Sequence, residues 1–222
     1  MMMSDNDSSS GPATGTDRLI EMLSKDARGR RRFEKILLRA VTFAVGIAAI
    51  VFFVLVQPRP DLELAARTAR VLFKFIITVP LAIAMIGLLD RIGRPAAPLG
   101  PWPWLLGGIG AMLAVGVGAE LALLPPEEWA TSLIGTNARY CMLFIPLIAI
   151  GPLFCFIVAL RQGMPTHPGL AGAAAGIASG AIAAAFYASH CPDDSPLFVA
   201  TWYTLATCIV AACGYAAGRR FL

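Results

Sequence analysis

Six apolar stretches, at about residues 38–56, 71–89, 104–123, 140–160, 168–188 and 196–217, constrain this chain more than any other feature. Each approaches the roughly 20 residues that an α-helix needs to cross the hydrocarbon of a bilayer. In that medium every backbone N–H and C=O must be satisfied within the segment, so the stretches predict helices. Of 222 residues, 57% are hydrophobic and 14% charged, more apolar than a water-soluble core of this size accounts for. The expected fold is an all-α membrane protein, a bundle of six transmembrane helices filling residues 36–222. The connections are short and leave no room for a second globular domain.

Ahead of the bundle the character changes twice. Residues 1–16 are rich in Ser, Asp and Gly without apolar periodicity and predict a disordered tail. No apolar core or small-residue cleavage site precedes residue 36, so no cleaved signal peptide is expected. Residues 17–35 predict a short amphipathic helix, with Asp17 as its cap and Leu19, Ile20 and Leu23 on one face. Gly29 interrupts it, and Arg28, Arg30, Arg31, Arg32 and Lys35 form a basic run. Three large aliphatics cannot make a core alone. That face lies on membrane lipid, packs on cytoplasmic loops, or docks a partner as a helix in a groove.

The net charge of +4 does not signal a nucleic-acid partner, because the cations cluster beside the spans, where orientation during insertion accounts for them. With the N-terminus cytoplasmic, the inner side collects Lys25, Arg28, Arg30, Arg31, Arg32, Lys35, Arg39, Arg91, Arg94, Arg161, Arg219 and Arg220. Arg59, Arg67, Arg70 and Arg139 fall outside. Twelve cations against four place both termini inside and the loop at 190–195 outside.

The spans differ in kind. Gly172, Gly176 and Gly180 repeat at four-residue spacing in the fifth, a pattern that lets helix backbones approach closely in lipid, so this span is expected at the centre. Gly110, Ala114 and Gly118 repeat the spacing in the third, either as its packing partner or as a dimer face of a homo-oligomer. Pro146 and Gly151-Pro152 remove backbone donors from the fourth, which should bend near its middle.

Chemistry concentrates in one loop, His190-Cys191-Pro192-Asp193-Asp194-Ser195, between the last two spans. Cys141 starts the fourth span on the same side. These thiols are either a functional pair, with His190, Asp193 and Asp194 nearby, or a packing residue and a loop filler. A pair could act as a redox switch, or take a thiophilic metal through Cys141, Cys191 and His190. Cys155, Cys208 and Cys213 lie within spans and read as packing residues. Lys74 and Glu120 are charges inside apolar runs. They form an intramembrane pair, or Lys74 snorkels to the interface. His167 falls on the opposite side from His190, so the two share no metal. With no CxxC, catalytic triad, phosphate loop or dinucleotide fingerprint, neither an enzyme nor a cofactor is expected. A small transporter, the main alternative, predicts two related three-span halves, and no convincing repeat is present.

Several short motifs stand in a particular order. An N-terminal DRLIEML precedes the first span and Arg59-Pro60-Asp61-Leu62 follows it. RQGMPTHPGLAGAAAG starts at 161, and HCPDDSPLFVATWY at 190 leads to a closing Gly218-Arg219-Arg220. From about residue 17 onwards the chain resembles the NrsF-like family of six-span bacterial inner-membrane anti-sigma factors, negative regulators of an extracytoplasmic-function sigma factor. The resemblance implies a protein that holds a sigma factor at the membrane and releases it under external stress. It implies further that the segment at 17–35 contacts the sigma factor, and that the family's outer cysteines correspond to Cys141 and Cys191.

Overall fold

The computed structural model describes residues 15–94 and 97–222, except for the side chains of residues 17–28 and 30. The chain divides after Arg32 into two compact units. The tail expected at 1–16 falls outside the described residues up to 14, and Gly15 already opens a helix. Leu19, Ile20 and Leu23 also lie outside the described side chains.

All regular structure among the described residues is helical, and six helices are long and apolar enough to cross a membrane. Helix α1 covers Gly15–Leu55 without a break at Gly29, and its span is Arg31–Leu55. From Phe33 onwards its buried side is Phe33, Leu37, Ala40, Ala44, Ala48 and Phe52. That three-to-four-residue period makes a single face. Phe43, Ile50 and Val54 on the other side are exposed, as lipid-facing residues must be. After α2 (Leu62–Ala65) comes α3 (Ala69–Ile92), whose first turn is capped by the Thr68 side chain accepting from the Val71 N–H. Helix α4 is Trp102–Leu123 and α6 is Ala138–Leu160; α6 stays helical through Pro146 and Pro152, as α3 does through Pro80. Between them lies α5, Pro126–Ile134, in a stretch whose hydropathy reads only as a connection. Helix α7 is Pro168–Ala188. The last span combines α8 (Pro196–Phe198), a π-helical turn at Val199–Tyr203 and α9 (Thr204–Phe221).

Helix α7 is the centre of the bundle, packed on α3, α6 and α9. In its span 72% of positions are buried, against 11% in α4. Of the two readings of the third span's glycine spacing, packing partner of the fifth or dimer face, the structure differs from the first. A Cβ on Gly172 would run into the Gly214 carbonyl and stand 2.7 Å from the Gly218 Cα, and one on Gly176 would stand 2.6 Å from the Ala211 Cα. Helix α9 is therefore the partner, through Gly214 and Gly218. The glycines at 107, 108, 110 and 118 of α4 face open space. A four-residue spacing of small residues permits close approach without naming the neighbour.

Connections gather at two ends of the bundle. At one, Phe33 packs against Gly93 and Gly163, the Met164 N–H donates to the Gly93 carbonyl at 3.1 Å, and Arg94 lies 3.6 Å from Glu34. At the other, the Arg59 N–H donates to the Ser189 carbonyl at 3.1 Å, and the segment at 136–137 meets Asp193. This second end carries the cysteine-containing loop.

Candidate functional site

The loop begins where α7 ends. The N–H groups of His190 and Cys191 both donate to the Tyr187 carbonyl, at 2.9 and 3.0 Å, in a turn that folds Cys191 under the bundle end. Cys141 occupies the first turn of α6. Both residues are 0% exposed, and their sulfurs stand 3.9 Å apart as free thiols. Two residues 50 positions apart in sequence are thus in contact. A disulfide would need the sulfurs to close to about 2.05 Å.

Each carboxylate of the loop fastens it to a different helix. Asp193 accepts from the N–H groups of Thr136 and Asn137, at 3.0 and 2.7 Å, and from the Asn137 side chain at 3.1 Å. It therefore satisfies donors that α6 leaves orphaned at its start, and its charge suits the positive end of that helix. Asp194 lies 2.5 Å from the Lys74 ammonium of α3 and 3.2 Å from Arg59. Lys74 is 0% exposed and also donates to the Cys191 carbonyl at 2.7 Å. Ser195 caps the last span by accepting from the Phe198 N–H, and its hydroxyl donates to Glu120 of α4 at 2.7 Å; the Leu197 N–H donates to the same carboxylate oxygen at 2.9 Å.

Both alternatives for Lys74 are thereby corrected. It neither snorkels nor pairs with Glu120, because the loop supplies it with Asp194 and a carbonyl. Glu120 instead takes Arg70, at 3.4 Å, and the donors of 195–197. The expected pair assumed that two buried charges of opposite sign find each other. The polar loop offered each a partner with less burial at stake.

The metal reading also changes. His190 Nδ1 lies 2.8 Å from the Gln57 carbonyl, at a residue of φ 63° that ends α1's connection in a left-handed turn. That contact uses the ring as a strut. Among the described residues no group of three or more His, Cys, Asp or Glu is arranged to hold a metal ion. Cys155 is half-buried, while Cys208 and Cys213 are exposed on the bundle surface rather than packed inside.

The electrostatics separate the groups further. The Cys191 thiol is held below its ordinary range, first because the Cys141 thiol donates to it and then because the Lys74 charge favours a thiolate. Arg59 forks onto Asp61 with two contacts of 2.7 Å. The guanidinium holds the Asp61 carboxyl below the usual carboxylate range. Sequence reasoning missed Thr136, Asn137, Tyr187 and Tyr203 as members of the site. Both tyrosines are buried, and their rings stand 6.2 Å apart. Only Ser195-Pro196, a cap followed by a first-turn proline, signalled its place locally.

Six helices long and apolar enough to cross a membrane, with a thiol loop interlocked at one end, define a polytopic helical bundle. Its relatives define its family. The family model described as "Negative regulator of sigma F" matches residues 23–222. The anti-sigma-F factor NrsF of Caulobacter vibrioides (strain NA1000 / CB15N) is 34% identical over 220 residues, which are 93% of this chain and 98% of that protein. The probable anti-sigma-F factor NrsF of Azospira oryzae (strain ATCC BAA-33 / DSM 13638 / PS) is 31% identical over 188 residues, covering 82% and 86% of the two chains. No solved structure matches. The chain belongs to the NrsF family, which is regulatory rather than catalytic.

Proposed function

We propose that this protein is a membrane-bound anti-sigma factor that sequesters an extracytoplasmic-function sigma factor at the bacterial inner membrane. It releases the sigma factor when an oxidant or a thiophilic metal reaches Cys141 and Cys191 at the periplasmic face. The family and the names of both relatives support the sigma-factor partner. The cation asymmetry supports cytoplasmic termini and a periplasmic thiol loop. The observation that carries the sensor reading is the 3.9 Å separation of the two buried sulfurs.

Oxidation joins the thiols with loss of two protons and two electrons. A single thiophilic ion could bridge the same sulfurs, each about 2.3 Å from it. Either event draws the start of α6 and the 190–195 loop together. Because Asp193, Asp194 and Ser195 tie that loop to α6, α3 and α4, the displacement reaches three spans at once. Shifting the partner from mostly bound to mostly free requires several kcal/mol between the two arrangements, which a disulfide is able to supply. On the cytoplasmic side, Leu19, Ile20 and Leu23 of the segment at 17–35 form the partner-facing stripe, assisted by the inner loops near Asp90–Arg94 and Arg161–His167.

The test is a co-purification from membranes followed by a transcription assay. The sigma factor should co-purify stoichiometrically, and Leu19→Asp with Leu23→Asp should release it and make its promoters constitutive. Cys141→Ser and Cys191→Ser should each keep basal repression and lose induction by oxidant or metal. Full induction in both single variants would refute the sensor.

A further inference from the structure

Helix α5 contributes nothing to the bundle core. No residue of Pro126–Ile134 is buried, and Trp129, Leu133 and Ile134 are 38%, 37% and 56% exposed. Successive residues of an α-helix advance by about 100° around its axis. On that wheel Trp129, Leu133, Pro126, Ala130 and Ile134 follow one another along one side, while Glu127, Thr131, Glu128 and Ser132 take the other. The two glutamates stand in the first turn and suit the positive end of the helix, which accounts for the acidic side. The bundle covers little of the apolar side, where Pro126 and Ala130 are exposed as well.

Chain length fixes where this helix lies. Helix α4 ends at Leu123 and α6 starts at Ala138, so only residues 124–125 precede α5 and only 135–137 follow it. At no more than about 3.6 Å per residue, those connections hold each end of α5 within about 15 Å of a span end. The apolar run Pro126–Leu160 is 35 residues long, well beyond the roughly 20 that a crossing needs. Its excess is α5, turned out of line with α6 at Gly135, whose φ of 57° suits glycine. The Trp129 indole N–H donates to the Leu124 carbonyl at 3.1 Å, and the Trp202 indole N–H donates to the Leu133 carbonyl at 2.8 Å. With its N–H satisfied, the exposed Trp129 ring is of the amphipathic kind enriched where membrane meets water.

We propose that α5 is an in-plane helix docked on the phospholipid leaflet at the thiol-loop end of the bundle. Trp129, Ala130 and Ile134 enter the upper acyl chains, and Glu127 and Glu128 stay in water. The apolar side continues the exposed apolar surface of the adjoining spans, from Leu123 at the end of α4 to Tyr140 and Leu143 in α6, so the bilayer that covers those residues covers α5 too. The polar side carries no cation, and docking therefore draws on apolar burial rather than on anionic headgroups. Docking also seats the loop, because Thr136 and Asn137, just after Gly135, hold Asp193. The inference rests on the membrane reading above, and on neither the sensor nor the orientation of the termini.

The test places the full chain in phosphatidylcholine nanodiscs and follows the fluorescence that the parent has and Trp129→Phe lacks, which isolates Trp129 from Trp102, Trp104 and Trp202. Incorporation into the discs tests the membrane reading before Trp129 tests the docking. Lipid brominated high on its chains should quench this emission about twofold more than lipid brominated near the chain ends, as a shallow position requires. Acrylamide in the water should quench it less than it quenches a free tryptophan amide. Ala130→Asp with Ile134→Asp should bring the helix into water and reverse both results, with Ala130→Asp alone, the milder variant, falling between. Glu128→Gln should match the parent, and so should the parent with phosphatidylglycerol added to the lipid. Emission open to acrylamide and untouched by brominated lipid in the parent overturns the proposal and leaves α5 to a water-borne protein. Quenching that both aspartate variants retain in full, or that requires phosphatidylglycerol, overturns it as well. If the double variant fails to insert, the parent and Ala130→Asp decide.

Discussion

Helices α4 and α7 carry the same four-residue spacing of small residues and put it to opposite uses. In α7 the glycines bring its backbone against that of α9, so the carbonyl of one helix fills the place where the other would carry a Cβ. In α4 the glycines at 107, 108, 110 and 118 meet nothing, and Ile109 and Glu120 are its buried residues. One helix is fixed along its length by packing. The other is fixed by α3 and by the polar contacts of Glu120 at one end. Small residues in lipid remove an obstacle to contact and supply little attraction of their own. Whether contact forms depends on the neighbour's having a matching gap.

The strongest way to break this contrast is to add a side chain on each helix. Gly172→Leu should cost several kcal/mol, because the atoms it meets are backbone and cannot turn aside, and overpacking of rigid neighbours is destabilising. Gly118→Leu should stay within about 0.5 kcal/mol of the parent, the usual size for an open surface position. Unfolding in mixed micelles checks both, and equal losses would refute the distinction.

Next in size is Lys74→Met. It removes the cation between Asp194 and the Cys191 carbonyl and leaves a partly buried carboxylate with Arg59 alone. A loss of about 3 kcal/mol is expected, as for breaking one side of a buried pair. Adding Asp194→Asn should recover part of it, which a double-mutant cycle measures.

Glu120→Ala should cost less, about 1–3 kcal/mol, since Ser195 and the Leu197 N–H lose an acceptor without leaving a charge unpaired in the core. Its sharper consequence is positional. With that tie removed, cysteines placed at the ends of α4 and α8 should crosslink more slowly, while crosslinking between α7 and α9 stays unchanged.

The smallest effect concerns Arg59 and Asp61. The guanidinium lowers the Asp61 pKa, so the pair's contribution is present above the unfolded carboxylate value of about 3.9 and lost as pH falls through the lower folded value. Between pH 5 and 8 the parent and Asp61→Asn should therefore differ by a constant amount. Their difference should shrink only below about pH 4, a trend that unfolding curves across pH can follow.

Some of this architecture was legible from residues alone. The six spans, their helical nature and the central place of α7 follow from local requirements, because a helix in lipid must satisfy its own backbone and an alanine- and glycine-rich one can be enclosed on every side. The grouping of Cys141 with the 190–195 loop at one end of the bundle also follows, since counting spans decides which end each connection reaches. The NrsF-like motifs were readable for the same reason: they are strings.

The tertiary structure decided everything that depends on which helices are neighbours. Gly172 finds Gly214 and Gly218 rather than the glycines of α4, Lys74 finds Asp194 rather than Glu120, and His190 props Gln57 rather than joining the thiols. None of these pairings is written in the residues themselves, because opposite charge, small size or ligand chemistry states what a residue can bind without stating what lies within its reach. The 3.9 Å between the sulfurs of Cys141 and Cys191 is of this second kind. Sequence put both at one end of the bundle, and only the packing of α6 against α7, with the turn at Tyr187, put them in contact.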